Sequence, residues 1–185
     1  MKYLLIITIF LIACQHKQMK EESVIATTSY FDLADLVQTD IRNNTKNSCS
    51  EEKIINVNNQ LEKKTINTLD WQKEMQLLLD CDINKPSWKG KFKVDTLWKQ
   101  DSSLLSITYH TLSNKIQVKR MYIQFANDNT IANITIDKKI SSILFSNRQQ
   151  IIYQPSKSFT VSSYQKAFFM NDFNSEVEIK YLCKF

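Results

Sequence analysis

At about residue 88 the apolar residues change their period from 3.6 to 2, dividing the chain into a helical first part and a stranded second part. Before the change, Tyr30, Ala34, Val37 and Ile41 fall on one helical stripe flanked by Leu33. This predicts a helix over about 30–41, with Thr28 or Ser29 as its N-cap. Residues 42–50 are polar and read as a loop. Ile54, Ile55 and Val57, then Leu61 to Ile66, flank the turn formers Asn58-Asn59 and read as a hairpin. Trp71, Met75, Leu78 and Leu79 form the stripe of a second helix over about 69–82. Asn84 suits the left-handed position that ends such a helix, and Pro86 cannot continue it.

After the change, Trp88, Gly90, Phe92, Val94 and Trp98 alternate with Lys89, Lys91, Lys93, Asp95 and Lys99, as in a strand with one buried and one wet face. Leu105, Ile107 and Tyr109 mark the next strand, and Ser113-Asn114 a turn. Ile116 and Val118 are in one phase while Met121, Ile123 and Phe125 are in the other, so a bulge near Lys119-Arg120 is expected. Asn127-Asp128-Asn129 turns the chain into a strand over 131–136. Shorter strands are expected around 143–145 and 150–153. Pro155-Ser156-Lys157 turns into 159–169, and the last strand sets Val177, Ile179, Tyr181 and Cys183 on one face.

Helices therefore precede strands, and hairpin-length connections imply antiparallel neighbours. The expected fold is α+β, with N-terminal helices packed on a C-terminal curved antiparallel β-meander. Residues 28–185 read as a single domain.

Gly90 is the only glycine, which excludes a phosphate-cradling loop, a dinucleotide fingerprint and a nucleophile elbow. The two histidines are His16 and His110, so any Ser-His-Asp or Cys-His site must use His110, which reads more simply as an exposed strand-end residue. Asp70 with Glu74, and Asp80 with Asp82, are acid pairs of the kind glycosidases use. Their simpler reading is as charges at helix ends. We assign no catalytic, cofactor-binding or metal-binding residue, and the expectation is that the protein is not an enzyme. Lys89, Lys91 and Lys93 point away from Trp88, Phe92 and Trp98, so the aromatics read as core and the lysines as protection of a sheet edge. The net charge of +5 comes mainly from lysines scattered among acids and does not argue for nucleic acid. Cys49, Cys81 and Cys183 allow one disulfide and one leftover thiol, and the sequence does not choose the pair. None of their spacings is that of a zinc site.

The N-terminus carries an address. Lys2 precedes the apolar run from Leu4 to Ile12, which is too short for the roughly 20 residues a bilayer span needs. Leu11-Ile12-Ala13-Cys14 resembles the bacterial lipobox. The resemblance implies a signal peptide over 1–13, diacylation of the Cys14 sulfur and cleavage after Ala13. Each buried acyl methylene contributes about 0.8 kcal/mol, so two or three chains anchor stably. Gln15, where the enterobacterial inner-membrane signal has Asp, points to the outer membrane, and Lys20-Glu21-Glu22 looks like the surface-export signal of Bacteroidetes lipoproteins. Residues 14–27 then read as a flexible tether. The spacing of aromatics and turns from Trp71 to Pro86 and from Leu144 to Tyr164 resembles a family of uncharacterised Bacteroidetes lipoproteins, a resemblance that brings no activity.

These readings leave a non-catalytic accessory or interaction protein of the outer membrane, bound through the lipid on Cys14 and contacting an outer-membrane protein partner. The alternative is a half-barrel carrier of an apolar or amphipathic ligand. A cavity of several hundred cubic ångströms in a concave sheet face favours the carrier. A filled core with an exposed apolar patch favours the accessory protein.

Overall fold

A computed structural model of the chain describes residues 20–25, 29–67, 69–99, 103–169 and 171–183. The expected signal peptide, residues 14–19, 26 and 27 of the expected tether, Cys14 among them, and the cap candidate Thr28 lie outside the described residues. The architecture is sheet-dominated, with a few helices. Ten strands form one antiparallel sheet: β1 (Lys20–Ile25), β2 (Ser50–Val57), β3 (Gln60–Ile66), β4 (Phe92–Trp98), β5 (Leu104–Thr111), β6 (Val118–Phe125), β7 (Ile131–Ser141), β8 (Phe145–Gln154), β9 (Ser158–Ala167) and β10 (Phe173–Leu182). Their order in the sheet is β1-β4-β5-β6-β7-β8-β9-β10-β2-β3.

The meander from β4 to β10 follows the sequence reading, and its edges do not. Lys20–Ile25, given to the tether, pairs along β4 from Lys20 opposite Trp98 to Ile25 opposite Lys93. β4 is therefore an interior strand, and its lysines do not guard an edge. The β2–β3 hairpin joins the other side of the sheet, with β2 alongside β10. Periodicity tells which face of a strand is buried but not which strand lies beside it, and these pairings join segments far apart in the chain.

Local signals hold in several places. Asn58 and Asn59 both have positive φ, 49° and 69°, as a two-residue hairpin turn requires. Asn129 and Ser156 take positive φ in two of the three other expected turns. The β6–β7 register slips between Val118 and Arg120, so Val118, Met121 and Ile123 are all buried despite their opposite phases. The slip is the bulge the sequence calls for. Of the strands expected to be short, the one around 150–153 is part of a ten-residue strand, β8, that begins at Phe145, while Ile143 and Leu144 of the other lie in the turn before it.

The helices depart further. Helix α1 (Leu33–Lys46) starts later and ends later than expected. Its N-cap is Asp32, whose Oδ1 accepts from Asp35 N at 2.8 Å. The last turn is polar by composition, yet Asn44 is buried there and Thr45 Oγ1 donates to the Ile41 carbonyl. The expected second helix breaks at Met75 into α2 (Trp71–Glu74) and α3 (Gln76–Leu79). Its stripe survives the break, since Trp71, Met75 and Leu78 are buried together with Cys81 and Ile83. Asn84 is not left-handed. Its Oδ1 accepts from Tyr30 N at 2.8 Å and its Nδ2 donates to the Phe31 carbonyl at 2.9 Å, clamping the chain just before α1.

These helical residues share one buried cluster with Phe92, Tyr109, Ile136, Tyr153, Ile179 and others from the sheet. Trp71 meets Tyr181 of β10 edge to face, with ring centroids 5.1 Å apart. Cys49, just after α1, is bonded to Cys183, just after β10, and Cys81 is the free, buried thiol.

Candidate functional site

Register sorts the strand side chains into two faces. Ile136, Ile151, Val161, Val177 and Ile55 are paired in turn across β7, β8, β9, β10 and β2, and they belong to or pack on the buried cluster, apart from the half-buried Ile55. One residue along, on the other face, stands the row Asp137, Gln150, Ser162, Glu176 and Asn56. Two residues beyond that, on the same face, stands Lys139, Arg148, Tyr164 and Asn174. Side chains alternate across a strand, so a hydrophobic row on one face leaves the adjacent row polar on the other.

The two polar rows supply most of the lining of a cleft of about 790 Å³, with Lys119, Asn58 and Asn59 at its ends. Its acids are already engaged. Arg120 Nε donates to Asp137 Oδ2 at 2.7 Å, and Gln150 Nε2 donates to Asp137 Oδ1 at 3.1 Å. Ser162 Oγ donates to Glu176 Oε2 at 3.0 Å. The hydroxyl of Tyr164 donates to Asp172, and that bond holds the phenol above its ordinary range. Its cations are Lys119, Lys138, Lys139 and Arg148, and none of them has an ion-pair partner among the described residues. Lys139 and Arg148 face each other directly across β7 and β8. Neither cysteine nor histidine lines the cleft.

A second feature lies at the tips of the two hairpins that lead into and out of this region. The β7–β8 turn carries Ile143, 99% exposed, and Leu144. The β9–β10 turn carries Phe168 and Phe169, 75% and 85% exposed. Phe168 N donates to the Leu144 carbonyl at 3.1 Å, which joins the two tips. The rings of Phe168 and Phe169 meet edge to face at 4.8 Å. Ile140, Phe145 and Phe173 extend the apolar surface onto the adjoining strands.

The sequence's acid and histidine candidates are not brought together. Asp70 caps α2, pairs with Lys73 at 3.2 Å and is held below the carboxylate range by it. Glu74 pairs with Lys53 at 2.8 Å. Asp80 accepts from Gln76, and Asp82 accepts from Asn84 while burial pushes its carboxyl up. His110 is half-exposed on β5, its Nε2 3.9 Å from Asp95. No group of three His, Cys, Asp or Glu side chains among the described residues is placed to hold a metal ion.

Two buried acids escaped the sequence reading. Glu51 of β2 has no exposed surface, and burial raises its carboxyl although Lys53 lies 3.1 Å away. Asp40 of α1 accepts from Tyr153 and Ser156. A charge beside Val37 and Ile41 on the apolar stripe was the available signal for Asp40. Nothing in the sequence marked Lys139 and Arg148 as neighbours.

No family model and no curated protein matches the chain. Among solved structures it is similar to the S-type phycobiliprotein lyase CPES from Guillardia theta. The match has 6% identity and a TM-score of 0.26, and it covers 84% of this chain and 99% of that one. At that TM-score the likeness carries no argument.

Proposed function

We propose that this chain is a lipid-anchored, non-catalytic accessory protein of the bacterial outer membrane, held by Cys14 and docking a protein partner through its paired hairpin tips. The observation that carries the reading is the exposed cluster of Ile143, Leu144, Phe168 and Phe169. An apolar patch left open on a domain that buries many of its other large apolar side chains in one cluster is what a binding surface looks like. Aromatic side chains at such a surface give large contact area with few rotatable bonds. In this reading the helices lie across the concave side of a curved sheet. The shared core and the Trp71–Tyr181 contact support that packing.

The carrier of an amphipathic ligand is the second reading, favoured by the volume of the cleft. Its lining of amides, hydroxyls and charges suits the polar end of such a ligand and leaves an apolar body unmatched.

The test is native mass spectrometry of the lipidated protein extracted in mild detergent from its own host, beside the variant Phe168→Ser with Phe169→Ser. The reading expects a defined partner chain on the wild-type protein and its loss from the variant. A partner retained by the variant, or a wild-type protein carrying only a small molecule, overturns it.

A further inference from the structure

The cleft has an electrostatic feature that the docking reading does not use. Lys139 and Arg148 are directly opposed cross-strand neighbours on its lining. Like charges in that position repel, and sheets ordinarily avoid or neutralise them. The nearest acids of the cleft are committed elsewhere, Asp137 to Arg120 and Gln150, and Glu176 to Ser162. The pair is therefore a ready seat for an anion, and Arg in particular binds carboxylate, sulfate or phosphate in a fork.

The rest of the lining says what the anion is attached to. From β7 to β10 the row extends about 14 Å at the spacing of neighbouring strands, longer than a lone ion needs. Gln150, Asn174, Asn56 and Asn58 present planar amides, each with a donor and an acceptor side by side. Hydroxyl groups also donate and accept, so a polyhydroxylated ligand matches them. Tyr164, opposite Arg148 on the next strand, adds one flat ring whose hydroxyl is tied by Asp172. A largely apolar ligand finds nothing comparable here.

We propose that this cleft binds an anionic oligosaccharide, its acidic group seated on Lys139 and Arg148 and its hydroxyls on the amides of the same face. The proposal goes beyond the docking reading and rests on a different surface.

The experiment is titration of the isotope-labelled protein, followed by amide chemical shifts, with three probes at matched ionic strength: a galacturonate hexasaccharide, neutral maltohexaose and inorganic tripolyphosphate. The galacturonate is expected to shift amides of 137–139, 148–150, 162–164 and 174–176, and to bind at least tenfold more tightly than either control. Lys139→Gln with Arg148→Gln, both at exposed positions, is expected to weaken it at least tenfold with the thermal midpoint unchanged. Equal binding of maltohexaose overturns the role of the cation pair. Equal binding of tripolyphosphate overturns the saccharide. Shifts elsewhere, or no binding of the galacturonate, overturn the site. Phe168→Ser with Phe169→Ser is expected to leave galacturonate binding intact, which separates failure of this proposal from failure of the docking one.

Discussion

The hydroxyl of Tyr153 on β8 donates to Oδ2 of Asp40 on α1 at 2.7 Å, joining residues 113 positions apart. Ser156, in the turn after β8, adds its backbone N–H to Oδ2 at 2.6 Å and its Oγ to Oδ1 at 3.0 Å. The buried carboxylate thus receives three bonds from one hairpin. Burial and the Asp40 carboxylate drive the Tyr153 phenol far above its ordinary range, so it stays a donor. Asp40→Ala is expected to cost about 2–4 kcal/mol, because it leaves buried donors without a partner. In a double-mutant cycle with Tyr153→Phe by urea unfolding, a coupling of at least about 1 kcal/mol is expected. Additive losses would show the bond to be idle.

The Cys49–Cys183 bond closes nearly the whole domain, its ends 134 positions apart in sequence. Chain entropy alone assigns such a loop about 5 kcal/mol, and measured losses run from about 2 to 5. Replacing both cysteines by Ala is expected to lower the unfolding free energy measured by chemical denaturation by that amount. The same loss is expected on adding a reductant to the wild-type protein, and no change with reductant is expected in the variant.

Cys81 is fully buried, and burial pushes its thiol up to about 11. Burial also raises the phenols of Tyr153 and Tyr181. A group with a raised folded-state pKa keeps its proton in the native state while the unfolded chain loses it, so stability falls as pH rises. The Cys81 contribution is complete below about 9, where an unfolded thiol titrates. It is lost by about 11. Unfolding midpoints measured from pH 8 to 11 are expected to fall, and to fall less steeply for Cys81→Ala. The native protein is also expected to resist an aromatic disulfide reagent at pH 8 and to react only on unfolding.

Trp71 is 3% exposed and packs on Tyr181. Trp71→Ala is expected to cost about 3–5 kcal/mol. An unchanged midpoint in chemical denaturation would remove Trp71 from the core.

Cys14→Ala is expected to abolish incorporation of labelled palmitate and to move the protein from the membrane to the soluble fraction. Incorporation that persists in the variant would end the lipid-anchor reading.

What the sequence by itself determined was local. The Asn58-Asn59 turn, the bulge at Lys119-Arg120 and the faces of β10 follow from the φ preference of single residues and from the two-residue period of strands, which need no knowledge of distant partners. The apolar stripe of Trp71, Met75 and Leu78 was legible for the same reason, while the break at Met75 was not. Only the tertiary structure decided which segments became neighbours. It set β1 on β4, put β2 beside β10, and chose Cys49 with Cys183 over the other pairs. It also placed Asp40 under the turn at Ser156 and aligned Lys139 with Arg148. These are matters of register between strands far apart in the chain. Register is set by which cross-strand pairs bury the most apolar surface together, a property of the assembled sheet rather than of any one segment.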